Sequence, residues 1–324
     1  MVIDVHAHYL PAELSQRLET LLDRSVAAFS HADDALDRMV AEAEAHGVGL
    51  QVLSANPIHP YHPTPARARQ AAVAMNNFYA SVVSARAERF AAFAALPLPH
   101  VEEALAEVAR CDDELPLVGF TVGCSVLGQA LNDPSFEPLW DELDRRAAVV
   151  FVHPGGVFLG TEPSLAGMDA GSLAAITIGS GAEVATAALC AADIARRRPK
   201  IRWIFANGGG VLTFLWQRIS ELAGRRGGED GPALLATLRT FFYDTSMHEE
   251  PASLLLAQDA VGMERVLLGS DAPRCGTEAA LRLLENSSFL TATRRGEIAE
   301  RADALLAPAI ARARGRLEGH SVAR

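Results

Sequence analysis

The sequence has almost no lysine. Of its 29 basic residues only Lys200 is one, and 40 acidic residues bring the formal net charge to -11. No basic run occurs, which argues against nucleic acid or an anionic membrane as a partner. Cysteine is also sparse: Cys111, Cys124, Cys190 and Cys275 are scattered, with no C-x-x-C pair. They read as reduced thiols in a cytoplasmic protein. The opening "VIDVHAHYL" turns polar too soon for a signal peptide, and no apolar run reads as long enough to span a membrane. A dinucleotide-binding glycine fingerprint, an internal repeat and a linker are missing too.

What is present is a rhythm. Eight short apolar runs, at 2–8, 48–54, 90–96, 118–123, 147–153, 201–207, 241–246 and 265–271, alternate with amphipathic stretches. Runs such as "AAVVFVH" and "RVLLGSD" are near-continuously hydrophobic, as strands buried on both faces are. "DDALDRMVAEAEAHG" opens acidic and stops at Gly47, as a helix does. The alternation predicts an α/β fold: one (β/α)8 TIM-type barrel domain over residues 1–324, with extra C-terminal helices packing outside. The alternative is an open doubly wound sheet, for which the missing fingerprint would be expected. Residues 157–182 are weakly patterned and predict a long βα connection lying over the C-terminal face as a lid.

Barrel chemistry sits at the C-terminal ends of the strands. Those ends carry His6 and His8, His153, Asn207 and Asp271. Two residues apart on a strand, His6 and His8 face the same side and offer a bite for one divalent cation. A third histidine and a carboxylate from other strands fit the open sphere of a catalytic metal. His59 and His62, in the proline-stiffened "NPIHPYHP", are candidate substrate contacts, and His248 is a candidate acid/base. Gly208 opens a triple glycine that lets backbone approach an anion, or simply makes a tight turn. Arg274, three residues past Asp271, is a candidate carboxylate clamp or an ordinary loop arginine. Trp140, Trp203 and Trp216 read as core; His31, His46, His100 and His320 read as surface.

"DVHAHYLP", "VFVHPGG", "ANGGGVLTFLWQRI" and "RVLLGSDAP", with "RFAAFAALPL" and "DPSFEPLWDEL" between them, resemble the landmarks of the amidohydrolase superfamily. The resemblance is strongest to its aminocarboxymuconate-semialdehyde decarboxylase branch, which includes decarboxylases of γ-resorcylate and 6-methylsalicylate. It runs over about residues 2–306. It implies one divalent metal, zinc first and manganese second, held by His6, His8, His153 and Asp271. The bridging carboxylated lysine of two-metal relatives has no counterpart, since Lys200 lies before strand six. The resemblance also implies a homodimer, in which Arg218 reaches the neighbouring site and binds the carboxylate of a small-molecule substrate.

One position departs from the pattern. The branch expects His-Gly-Gly-Gly after strand six, and this chain has Asn207. An amide does not exchange a proton near neutral pH. Three explanations stand: a chemistry that needs no base there, a native variant with altered chemistry, or a substitution introduced to trap a complex. Hydrolysis needs a base for its water. Non-oxidative decarboxylation of a 2-hydroxybenzoate-like acid needs only one proton carrier, and a protonated Asp271 is the expected one. The expected enzyme is therefore a metal-dependent decarboxylase of a small aromatic or unsaturated acid. The alternatives are a hydrolase of a lactone, amide or C–C bond, with Asp271 as base, and a repurposed, non-catalytic member.

Overall fold

The computed structural model describes residues 1–155, 173–225, 230–246 and 250–322. Eight parallel strands, β1 (Ile3–His8), β2 (Leu50–Ser54), β3 (Phe90–Ala95), β4 (Gly119–Gly123), β5 (Val149–His153), β6 (Arg202–Phe205), β7 (Phe242–Asp244) and β8 (Val266–Leu267), pair in chain order. The ring closes where Val5 N–H donates to the Leu268 carbonyl at 3.0 Å and His8 N–H to Ala272 at 2.7 Å. The barrel alternative therefore holds over the open sheet. All eight predicted strands are present, trimmed at their ends. A small hairpin, Ser125–Val126 with Gln129–Ala130, follows β4 and was not foreseen.

Eleven helices are described: α1 (Ala12–Leu22), α2 (Ala35–Ala45), α3 (Pro65–Ala85), α4 (Val101–Glu114), α5 (Glu137–Arg145), α6 (Leu173–Arg197), α7 (Trp216–Arg225), α8 (Gly231–Leu238), α9 (Pro251–Ala260), α10 (Thr277–Asn286) and α11 (Ala292–Val322). The connection expected over 157–182 is helical from Leu173 onward; residues 157–172 lie outside the described residues. Within α6, Ile178–Arg197 is long and apolar enough to cross a membrane, contrary to the reading of the sequence. Val184, Ala187, Ala188 and Ala191 are fully buried against the fold, so it serves as a core helix. Trp140, Trp203 and Trp216 are buried as expected. His31 is not a surface residue: half-buried, it stacks on Tyr9 and accepts the Leu10 N–H at 3.0 Å.

Two apolar layers build the molecule. One lies between the strands and the surrounding helices; the other fills the barrel with residues such as Val5, Val52, Phe93 and Phe151. The last helix does not pack outside the ring. Its Ala302, Leu306 and Ala309 join the inner layer, so α11 forms the barrel floor. Arg202 donates to the Leu305 carbonyl at 2.9 Å, and Arg301 to Met263 and Val266 at 2.8 and 2.7 Å, which pin it there.

Arg146, 11% exposed, ties α4 to α5 through Asp112, Asp113 and Glu142 at 2.7–2.8 Å. Bonds from Arg145 outweigh burial and, with Arg146, pull Glu142 from its ordinary 4.5 down to about 2. Such a depressed carboxyl stabilises the fold above its ordinary value and loses that contribution as pH falls through the folded one. Arg146→Ala is expected to cost roughly 2 kcal/mol, on the order of 5 °C in Tm at neutral pH. The Tm gap between variant and parent should narrow between pH 4.5 and 2. A gap that stays constant over that range in differential scanning calorimetry refutes it.

Candidate metal centre

A register shift between Asp4 and Ala7 breaks the pairing of β1 with β2. Ile3 and Val5 belong to the inner layer and Ala7 to the outer one. The bulge therefore changes the phase of the strand and aims both His6 and His8 inward, as bulges beside functional sites do. On β5 the alternation Val149, Phe151, His153 puts the third imidazole on the same inner face. Phe151 packs edge-on to His6, with ring centroids 5.1 Å apart.

Four ligand atoms, from His6, His8, His153 and Asp271, lie within 4.8 Å of one another, and all four residues are buried. The three imidazole centroids are 4.8–5.0 Å apart in edge-to-face contacts. Every Nδ1 has an acceptor. His6 Nδ1 faces Asp244 Oδ2 at 2.7 Å, His8 Nδ1 faces the Ser54 hydroxyl at 3.2 Å and the Ser54 carbonyl at 3.3 Å, and His153 Nδ1 faces the Pro154 carbonyl at 2.7 Å. These acceptors assign the ring proton to Nδ1 and leave each Nε2 with a lone pair for the centre. Yet His6 and His8 bring their Nε2 atoms to 2.9 Å, with Asp271 Oδ1 3.1 Å from the second. Two lone pairs and a carboxylate so disposed repel unless a cation joins them. Three imidazole nitrogens and one oxygen fit a divalent ion.

The charges agree. Burial and the neighbouring His6 and His8 drive His153 well below the usual imidazole range, so it is neutral. Burial works against a charge on His6, but Asp244 prevails and raises it, which strengthens it as a donor to an ion. Burial would raise Asp271; contact with the His8 ring and the nearness of His6, His8 and the Arg274 guanidinium overcome it and hold the carboxyl below its usual range. The carboxyl is therefore ionised at rest, and the protonated form expected to carry the proton arises only once it has taken one up.

The other predicted residues scatter. Asn207 stands two residues beyond β6 at the head of a 3-10 turn, with φ 56. Its backbone N–H donates to Asp244 Oδ1 at 3.0 Å. The glycine turn serves packing more than an anion: a methyl on Gly210 would meet the Gly181 carbonyl of α6 at 2.0 Å, and one on Gly209 the Tyr243 ring at 2.9 Å. Gly208 is buried with φ 59, a conformation glycine adopts freely. His59 is folded down over β4, stacked on Tyr61, with its carbonyl accepting Arg24 at 2.7 Å. Burial pushes its imidazole to about 3, and its buried Nε2 has no partner among the described residues. His62 turns away, accepting the Thr64 N–H at 2.9 Å and facing Asp23 at 3.4 Å. Arg218 and Arg274 are exposed, and His248 lies outside the described residues.

Sequence reading missed the carboxylates behind the ligands. Asp244 orients His6 from β7. Asp4 accepts the His6 and Ser270 N–H groups, at 3.1 and 3.0 Å, and ties β1 to the segment after β8. Each is a lone acid in an apolar run; such an acid, buried, needs partners, and that was the available signal.

A family model described as amidohydrolase matches residues 3–303. The chain belongs to the amidohydrolase family. This amidohydrolase is 30% identical to the 2-amino-3-carboxymuconate-6-semialdehyde decarboxylase of Dictyostelium discoideum, over 73% of this chain and 66% of that one. It is 27% identical to the 6-methylsalicylic acid decarboxylase of Penicillium expansum, over 90% and 89% of the two chains. Among solved structures, it superposes on a dihydroxybenzoic acid decarboxylase from Polaromonas sp. JS666, with bound manganese and 2-nitroresorcinol, at a TM-score of 0.78. Identity there is 20%, covering 94% of this chain and 96% of that one.

Proposed function

We propose that this amidohydrolase is a metal-dependent, non-oxidative decarboxylase of a small aromatic or unsaturated carboxylic acid of the 2-hydroxybenzoate type. The observation that carries it is the convergence of three Nδ1-pinned imidazoles and one ionised carboxylate at the barrel mouth. The names of the two relatives and of the manganese-bound neighbour support the reaction class. His6, His8, His153 and Asp271 would hold the ion, zinc in our reading and manganese as the second choice. When bound, it supplies Lewis-acid withdrawal of charge from substrate oxygens.

The chain's own part is proton handling. Asp271, ionised at rest, takes the proton of the substrate's hydroxyl and delivers it to the ring carbon that bears the carboxylate. The electrons of the breaking C–C bond return to the ring and CO2 departs. The phenolate left behind is reprotonated from water. Arg218 or Arg274 would steady the carboxylate. We also propose a homodimer: Arg218 is exposed on α7, near Phe214 and Leu222, which are 74% and 48% exposed. The four free cysteines support a cytoplasmic setting.

One observation favours the hydrolase reading: an ionised Asp271 is already a base for water. Metal analysis followed by parallel assays separates the two. We expect one ion per chain and CO2 release from a 2-hydroxybenzoate panel. Turnover of lactones without CO2 would select the hydrolase.

A further inference from the structure

Asn207 occupies the position where the resemblance places a proton-exchanging histidine, and its hydrogen bonds assign it a different task. Ser246 Oγ lies 2.6 Å from Asp244 Oδ1 and 3.1 Å from the oxygen end of the Asn207 amide. A serine hydroxyl has one hydrogen and two lone pairs. The shorter, charge-assisted contact to the carboxylate takes that hydrogen. The contact to Asn207 is then a bond only if the amide is turned half over, so that Nδ2 donates to Ser246; the two ends of an amide are interchangeable in this way.

With that turn the hydroxyl of Ser246 and both oxygens of Asp244 are matched. Ser246 Oγ accepts the Asn207 backbone N–H at 3.1 Å and the Asn207 Nδ2–H, and donates to Asp244. Asp244 Oδ1 also accepts the backbone N–H groups of Ser246 and Asn207, both at 3.0 Å. Its other oxygen accepts from His6 Nδ1 at 2.7 Å. We propose that Asn207 is a positioning residue, the outer end of a one-directional chain from its amide through Ser246 and Asp244 to the metal ligand His6. It fixes the carboxylate that aims His6 rather than exchanging a proton with substrate. This rests on the metal-site reading and holds whichever reaction the site performs.

The test is metal affinity, measured on the full chain by competition of Zn2+ with a chromogenic chelator. Groups behind a ligand typically matter ten- to a hundredfold in affinity. Ser246→Ala removes the relay. Asn207→Asp keeps the left-handed backbone but has only acceptors. Each is expected to weaken binding about tenfold or more. The double variant should be no weaker than Ser246→Ala alone, because both break one chain. Ser246→Thr, which restores the hydroxyl, should recover parent affinity within about threefold, a rescue that general loosening of the site would not give. If the alanine variant does not fold, Asn207→Asp against Ser246→Thr carries the same comparison. Unchanged affinity in Ser246→Ala, or losses that simply add, overturns the relay alone. A parent protein that binds no ion overturns the relay and the metal site together.

Discussion

His153→Ala is expected to abolish activity, by about 10³-fold or more, through loss of the ion. Several kcal/mol of charge stabilisation come from a bound Lewis acid, and each 1.36 kcal/mol is tenfold in rate. His153 is the only ligand from β5, and it is neutral and pinned by the Pro154 carbonyl. No described side chain lies ready to replace it, since His59, of which only Nε2 is unpartnered, is stacked on Tyr61 and packed against Gly123 of β4. Chelation of the parent protein should reproduce the loss, and added zinc or manganese should reverse it there but not in the variant. A second readout is thermal. An ion that binds only the folded state raises its Tm, so metal removal should lower the parent's Tm and leave the variant's nearly unmoved. Metal-replete His153→Ala with more than a tenth of parent activity would contradict the assigned ligand set.

The second large effect is at Asp271. Asp271→Asn keeps the shape, keeps one oxygen for an ion and suits the left-handed backbone, φ 56, at that position. It cannot carry a proton. A fall in kcat of about 10²–10⁴-fold is expected, with metal still bound, though more weakly. This separates it from the histidine variant, in which metal and activity leave together. Steady-state kinetics beside elemental analysis of the same sample would show it. If kcat falls less than tenfold with full metal occupancy, the proton travels by another group.

The sequence disclosed the barrel and the ligands for the same reason. Buried parallel strands read as apolar runs, so a histidine or aspartate closing such a run stands out, as His153 closes "VVFVH". Other features were hidden because they are non-local. Asp244 and His6 are 238 positions apart, and nothing near either one announces the pair. The floor formed by α11 was misplaced because its apolar residues show a helix face but not what that face covers. The start of α6 was missed since "ITIGSGA" mixes β-branched residues and glycine, which weaken helical periodicity. The resting state of Asp271 was not legible because it depends on two imidazoles and an arginine brought in by folding.

The left-handed backbone at Asn207 bears on how such a site can drift. Only a few side chains sit there without strain, notably glycine, asparagine, aspartate and histidine. Histidine and asparagine codons differ by one base, so an imidazole and an amide can be exchanged there without reshaping the chain, whereas valine or isoleucine would be refused. Variation at this corner is thereby channelled toward glycine and a few side chains that still hydrogen-bond, and proton chemistry can change there while the scaffold stands still.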